Sequence, residues 1–235
     1  MSEAGEAANY FNVGDEKELT IGEYSYYDSD NKITVTHPET TYHVQILGFN
    51  HDDKSDGTGK AGITVGLKEA MTTKHNMNDR ISFIDNEGIE WNTYTNIGGW
   101  ETSKMRTYLQ NDVLVSLPSD LQAVIKTVDK KSDVGNKNTS TLKTTQDKLF
   151  LFSPEEVGFI LTSDYLQGQG TKYEYFIDDN SRVKKYLSGE LSFWWLRSAN
   201  IGSHYFFYHI NRNGSSSNYY SVASDTIGVV FGFSI

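Results

Sequence analysis

The sequence predicts an α+β fold in which short helices surround small antiparallel sheets. Three observations carry this. The chain has 20 glycines and 15 tyrosines but only 3 prolines, a composition that favours strands separated by many turns. Only three stretches show a helical pattern, together about 30 residues, too few for an all-helical chain. The last forty or so residues open and close on short apolar runs, Trp194-Trp195-Leu196-Arg197-Ser198 and Gly228-Val229-Val230-Phe231-Gly232-Phe233-Ser234-Ile235, which read as buried strands.

Taken in order, residues 1–18 hold few apolar groups (Tyr10, Phe11, Val13) and are expected to form an N-terminal arm or lead-in. A single domain is expected over residues 19–235. Two strands are expected around Tyr24-Ser25-Tyr26-Tyr27 and Ile33-Thr34-Val35. They are joined by Asp28-Ser29-Asp30-Asn31, whose side chains favour turns by bonding their own backbone. Tyr42 to Leu47 alternates and then turns apolar, as a central strand would, and Ala61 to Leu67 reads as another.

The first helix is expected over Glu101 to Gln110, where Met105, Tyr108 and Leu109 share a face and Arg106 lies off it, free to reach a carboxylate elsewhere. The second follows Pro118, with Leu121, Val124, Ile125 and Val128 at helical spacing. The third follows Ser153-Pro154-Glu155-Glu156, a capping box leading through Val157 and Ile160. Between the last two, residues 130–145 are polar and read as an exposed loop or hairpin with solvated lysines. Lys148 to Phe152 reads as a buried strand, and Tyr173 to Phe176 as strand-like or as rings packed under a loop.

Composition bounds function. There is no cysteine, so disulfides, thiolate nucleophiles and cysteine metal sites are absent. A net charge of −10 argues against nucleic acid and anionic membrane surfaces, which need Lys/Arg patches. No apolar run approaches the roughly 18 residues that span a bilayer, and the acidic, polar start does not read as a signal peptide. No cofactor motif is present. The acidic stretch 50–60 invites a cation reading through Asp52, Asp53 and Asp56. An EF-hand counted from Asp52 fails at Lys54 and Ile63, and the competing reading is an Asx-rich turn. His51 reads as structural. A hydrolase built on His43, His51 or Asp carboxylates has no nucleophile elbow, HExxH or phosphate loop behind it, so no enzymatic activity and no catalytic residues are expected.

The segment 199–227 differs in character. Aromatics stand among Ser, Asn and Gly, the chemistry of paratopes, where rings give contact area at low entropic cost and small polar groups adapt. From Ala199 to the end there is no Lys, Glu, Gln, Met or Trp, the five amino acids that codons ending in a pyrimidine cannot encode. Diversification at Asn-type codons would leave this pattern; a Ser/Asn-rich pair of strands in an ordinary β domain is the plain alternative. Strand alternation puts Phe206, Tyr208 and Ile210 on one face and Tyr205, Phe207, His209 and Asn211 on the other. The second set is expected to be exposed, with Ile210 anchoring the core. Asn200, His204, Arg212, Tyr219, Tyr220, Ser221 and Asp225 complete the candidate ligand-binding surface. Arg212-Asn213-Gly214 is expected to turn the chain. Trp195 and Arg197 are expected to be scaffold.

The order of Asn50-His51-Asp52-Asp53 with residues 57–64, Gly98-Gly99-Trp100 with Ser103, Met105 and Arg106, Leu117-Pro118, Asp147, Ser153 and Glu156, Trp194-Trp195-Leu196-Arg197-Ser198 and Gly228-Val229 with Gly232-Phe233 resembles a widespread uncharacterised bacterial and phage domain family, from Tyr42 to Ile235. That family is similar to the C-type lectin-like fold of the formylglycine-generating-enzyme type, which also carries the variable proteins of diversity-generating retroelements. The resemblance implies a C-type lectin-like domain with a hypervariable C-terminal surface, working as a ligand- or receptor-binding protein on a virion or cell surface. Its partner would be a protein or glycan on a target cell. Homo-oligomers are compatible, since phage versions of the fold are often trimers. A structural virion or surface module without a diversified site is the alternative. The chain departs from its relatives at Val230-Phe231. It lacks the Glu-Pro-Asn and Trp-Asn-Asp motifs of calcium-dependent sugar binding and the cysteines of sulfatase-activating enzymes.

Overall fold

The computed structural model describes residues 5–84, 90–159, 163–215, 220–223 and 225–235. It is a mixed α/β structure, mostly small antiparallel sheets with a few short helices. The N-terminal half supplies strands β1 (Glu16–Ile21), β2 (Tyr24–Asp28), β3 (Ile33–His37), β4 (Thr40–Phe49), β5 (Ile63–Leu67), β6 (Arg80–Ile84) and β7 (Glu90–Tyr94). Helices α1 (Lys104–Tyr108) and α2 (Ser119–Val124) precede the hairpin β8 (Val128–Asp133) and β9 (Leu142–Asp147). A last short helix, α3 (Asp179–Arg182), leads to β10 (Lys184–Lys185), β11 (Leu191–Ser192), β12 (Trp194–Ala199), β13 (Phe206–Ile210), β14 (Tyr220–Val222) and β15 (Gly232–Ser234).

The main sheet runs β1-β4-β5-β15, so the C-terminal strand joins the N-terminal ones. Tyr42 to Leu47 therefore lies in an interior strand, as its apolar run indicated. Gly232 and Gly66 are register partners in β15 and β5. A Cβ at Gly232 would stand 2.7 Å from the Phe152 ring, and one at Gly66 3.0 Å from it. Both positions must be bare for that ring to lie against the sheet. β1 begins at Glu16 and pairs with β4, and Ala7 is buried, so part of the lead-in segment packs onto the core.

The helices are shorter than their patterns. Ser103 caps α1, accepting from the Arg106 N–H at 3.1 Å, and a π turn over Leu109–Val113 continues it. Arg106 Nε reaches Asp147 at 2.6 Å, and Trp100 Nε1 donates to the same carboxylate at 2.9 Å. α2 stops at Val124, which is exposed, and Val128 belongs to β8. The i, i+7 match was coincidence with a strand start. Glu156 Oε2 accepts from the Ser153 N–H at 3.0 Å, and Ser153 Oγ from the Glu156 N–H at 3.2 Å. Turns rather than a helix follow that box, and Ile160 lies outside the described residues. Phe150 makes a single bridge to Gly232, not a strand.

Residues 130–145 differ most from expectation. They form the expected hairpin, but Lys130, Ser132 and Asp133 are buried. Lys130 Nζ donates to Asp52 Oδ1 at 2.5 Å, Tyr173 OH at 2.7 Å and Glu156 Oε1 at 3.1 Å. Glu156 is gripped by both ends of the Arg197 guanidinium, which also donates to the Leu151 carbonyl at 2.9 Å and the Lys131 carbonyl at 3.0 Å. Asp52 Oδ2 accepts from Thr64 at 2.6 Å and Ser234 at 3.0 Å. Two cations and two carboxylates thus balance inside the core and tie β5, β8, β12 and β15 together. Burial disfavours the charged form of Asp52, and the Lys130 ammonium overcomes it, holding the carboxyl well below the usual carboxylate range.

Candidate ligand-binding surface

β12, β13 and β14 form one sheet with β13 in the middle. Trp194 pairs with Ile210, Trp195 with His209 and Ala199 with Phe207, with an irregularity between Trp195 and Ala199. Trp195, Arg197 and Ile210 are fully buried, as scaffold residues should be.

The expected exposed face of β13 is not exposed. Phe207 is buried completely, and His209 and Asn211 are 7% and 8% exposed. Alternation assumes a strand with one wet face, whereas β13 is covered on both. On one side the Tyr208 OH donates to the Asp164 carbonyl at 2.8 Å and its ring meets Tyr165 edge-on. On the other, His209 packs edge-on against Phe193 and Trp195. Asn200 and Asn211 are also buried and build turns. Asn200 Oδ1 accepts from the Gly202 N–H at 2.9 Å, and Asn211 Oδ1 from the Asn213 N–H at 2.7 Å. Neither offers its side chain to a ligand. The expected Asn-Gly turn is present, with the Gly214 N–H bonded to the Asn211 carbonyl at 3.1 Å.

Of the other candidates, His204 and Tyr205 are half-buried and Arg212 and Asp225 exposed; Ser203 and Phe206, which the sequence reading did not include, are half-buried beside them. His204 Nδ1 lies 2.7 Å from Asn136 Oδ1. Arg212 rests over the Phe193 ring, 4.9 Å from its centroid. Tyr220 and Ser221 lie in β14, opposite Tyr208 and Phe207. Tyr219 is outside the described residues.

The 200–206 loop is held by a residue the sequence did not single out, the buried Asn96, four residues before Trp100. Its carboxamide Nδ2 lies within hydrogen-bond distance of the carbonyls of Asn200, Ser203 and Phe206, at 3.1, 2.9 and 3.0 Å, and shares its two hydrogens among the three. Its backbone N–H donates to the His204 carbonyl at 2.8 Å, and its Oδ1 accepts from the Asn136 N–H at 2.8 Å. The Ala223 N–H holds the Tyr205 carbonyl at 2.8 Å. The only advance signal was position: a turn-prone Asn beside Gly98-Gly99-Trp100.

A model of the family described as Domain of unknown function (DUF6273) matches residues 69–231. The chain belongs to this family. The DUF6273 match takes in Asn96, the buried Lys130–Glu156–Arg197 cluster and the candidate surface, and begins after the Asp52 loop. No curated protein and no solved structure matches the chain.

The three carboxylates of the 50–60 cation reading do not converge on one point. Asp52 points into the core, Asp53 pairs with Lys60 at 2.9 Å, and Asp56 caps the Thr58 N–H at 2.9 Å and hydroxyl at 2.7 Å. No group of three potential metal ligands is found among the described residues. His51 lies against Tyr173 with ring centroids 4.0 Å apart and the planes tilted by 30°. Its Nε2 lies 3.0 Å from Thr171 Oγ1 and its Nδ1 3.3 Å from Asp52 Oδ1. Asp52 is already committed to Lys130 and Tyr173, so the row acts as a clamp at the core's edge. Among the described residues no helix is long and apolar enough to cross a membrane.

Proposed function

We propose that this chain is a ligand- or receptor-binding protein displaying a variable surface on the loops that flank β13, on a scaffold of the C-type lectin-like kind. The observation that carries the reading is how the 200–206 loop is held. Its carbonyls at Asn200, Ser203, His204, Tyr205 and Phe206 are all fixed by N–H donors of Asn96 and Ala223. Backbone bonds are indifferent to side-chain identity, so Ser203, His204 and Tyr205 can be exchanged with little cost to the fold. Gly202 is the exception: a Cβ there would stand 2.5 Å from Asp164 Oδ1.

The absence of Lys, Glu, Gln, Met and Trp from residue 199 onward supports diversification of the kind driven by a retroelement. Small antiparallel sheets with short helices are in keeping with the lectin-like reading. The surface centres on Ser203, His204, Tyr205, Phe206, Arg212 and Asp225, with Tyr219, Tyr220 and Ser221 kept as candidates. The partner is a protein or glycan on a target cell surface, and the role is binding rather than catalysis.

Sequencing siblings from the same locus tests this. Changes should cluster at 201, 203–206, 212–213, 219–222 and 225 and spare Gly202, 207–211 and the buried Ala223. Uniform drift would instead favour a structural virion or surface module, and frequent change at the buried Phe207 to Ile210 would contradict the placing of the surface. The burial of those four residues is what that second reading has in its favour. His204→Ala with Tyr205→Ala should leave Tm within about 2 °C of the parent.

A further inference from the structure

A second feature lies away from that loop. Two clefts of about 470 and 350 Å³ share Tyr186 as a wall. Lys68, Lys184 and Lys185 line the larger, Lys74 and Arg212 the smaller, against one carboxylate each, Glu69 and Glu190. On a chain of net charge −10 this is a local inversion of sign. Lys68 is paired with Glu16 at 2.7 Å. The other four cations have no carboxylate within ion-pair distance among the described residues.

Lys184 is the most telling of them. It is 3% exposed, and its Nζ donates to the Leu67 carbonyl at 2.7 Å, with Gln45 Oε1 at 3.4 Å and the Tyr175 ring at 5.8 Å. Gln45 and Tyr175 both line the larger cleft. Burial of an ammonium is costly without a counter-charge, and three N–H donors meet at best two acceptors here. In the smaller cleft, Lys74 lies 5.3 Å over the Tyr186 ring and Arg212 4.9 Å over Phe193. Ring contacts hold a cation in place without neutralising it.

We propose that the paired clefts at Tyr186 bind an acidic saccharide, a short oligosaccharide whose carboxylates meet Lys184 and Lys74. Sugar hydroxyls both donate and accept, and the clefts offer both kinds of partner: Glu69, Glu190 and the Asn180 carboxamide beside the cations. A phosphate ligand would have no use for the two carboxylates. Two chambers with a common aromatic wall suit a few ring-sized units, and the surrounding negative charge repels a long polyanion. An anion beside Lys184 favours its protonated form, so binding takes up a proton near neutral pH. Burial pushes that ammonium down to about 7; Glu69 and Glu16 favour the proton and Lys68 opposes it.

The inference goes beyond the loop reading and does not depend on it. Calorimetric titration of the full chain with a galacturonic acid trisaccharide and with 3′-sialyllactose tests it. At least one should bind with Kd of about 1 mM or tighter, and its methyl ester about tenfold more weakly. Lys74→Gln and Lys185→Gln, both exposed positions, should each weaken the acid by about threefold or more at unchanged Tm. Affinity should fall from pH 6 to pH 8.5. Silence from both acids at about 10 mM, equal binding of the methyl ester, or tighter binding of a DNA oligonucleotide of equal charge would each overturn the proposal. The cleft and the proposed surface share Arg212, but Tyr205 lines neither cleft, so Tyr205→Ala should leave saccharide binding intact whatever it does to the loop's own partner.

Discussion

Replacing Lys184 with Met should stabilise this chain below neutral pH, and the gain should vanish in alkali. A lysine ammonium ordinarily holds its proton to 10.5; burial pushes Lys184 down to about 7. At about 1.4 kcal/mol per pH unit, that gap puts a ceiling of about 5 kcal/mol on the cost of the buried charge. Met keeps the stem and packs it, but strips the Leu67 carbonyl of the donor at 2.7 Å, a loss of about 1–3 kcal/mol. With that loss at its upper end, the net gain near pH 6 is about 2 kcal/mol. Between about 7 and 10.5 the unfolded chain keeps a proton that the folded chain has released, so the parent gains stability as pH rises. Below 7 both states are protonated and the cost is present in full. Urea denaturation of parent and variant near pH 6, 7.5 and 9 should show the variant ahead at the first and level or behind at the last. A variant weaker than its parent near pH 6, or a difference that ignores pH, would refute the view of Lys184 as an uncompensated charge.

Arg197→Met should cost about 3–5 kcal/mol, because Glu156 loses the partner that grips both its oxygens; adding Glu156→Gln should recover part of it in the same denaturation assay. Asn96→Ala should strip the Ser203 carbonyl of its donor and leave those of Asn200 and Phe206 to the Ser203 and Asn200 N–H groups at 3.3 and 2.9 Å, costing about 1–3 kcal/mol and raising amide exchange across residues 200–206. Acid should weaken the fold between pH 6.5 and about 4. Burial pushes His75 and His209 down to about 4, so over that window the unfolded chain binds protons the folded chain refuses. Asp133, pushed up to about 6 by burial, works the other way and offsets part of the loss. A stability series that stays flat from pH 6.5 to 4 would contradict this.

Much of the architecture was legible in the sequence because it follows from local rules. The β2–β3 hairpin was marked by Asp28 and Asn31, which bond in the turn as their chemistry predicts. β4 and β5 were marked by apolar runs, α1 by one apolar stripe, β12 and β15 by aromatics beside glycine. The Ser153–Glu156 box formed its bonds even without a helix behind it, since capping needs only two side chains and a turn. What local rules could not supply was which faces are covered. Lys130 sits in a polar run and looks solvated; it is interior because Asp52, Glu156 and Tyr173, distant in sequence, converge on it.

The candidate surface divides along the same line. Composition by itself determined that residues 199–227 are rich in rings and small polar groups and poor in long charged chains. Only the tertiary structure decided that Phe207, His209, Asn200 and Asn211 serve the interior while Ser203 to Phe206 and Arg212 face outward. The reason is that a period of two says which side chains share a face but nothing of what lies over it. Tyr165 and Phe193 cover the two faces of β13, and Asn96 holds the loop; all three act across the chain through contacts that no window of neighbouring residues contains.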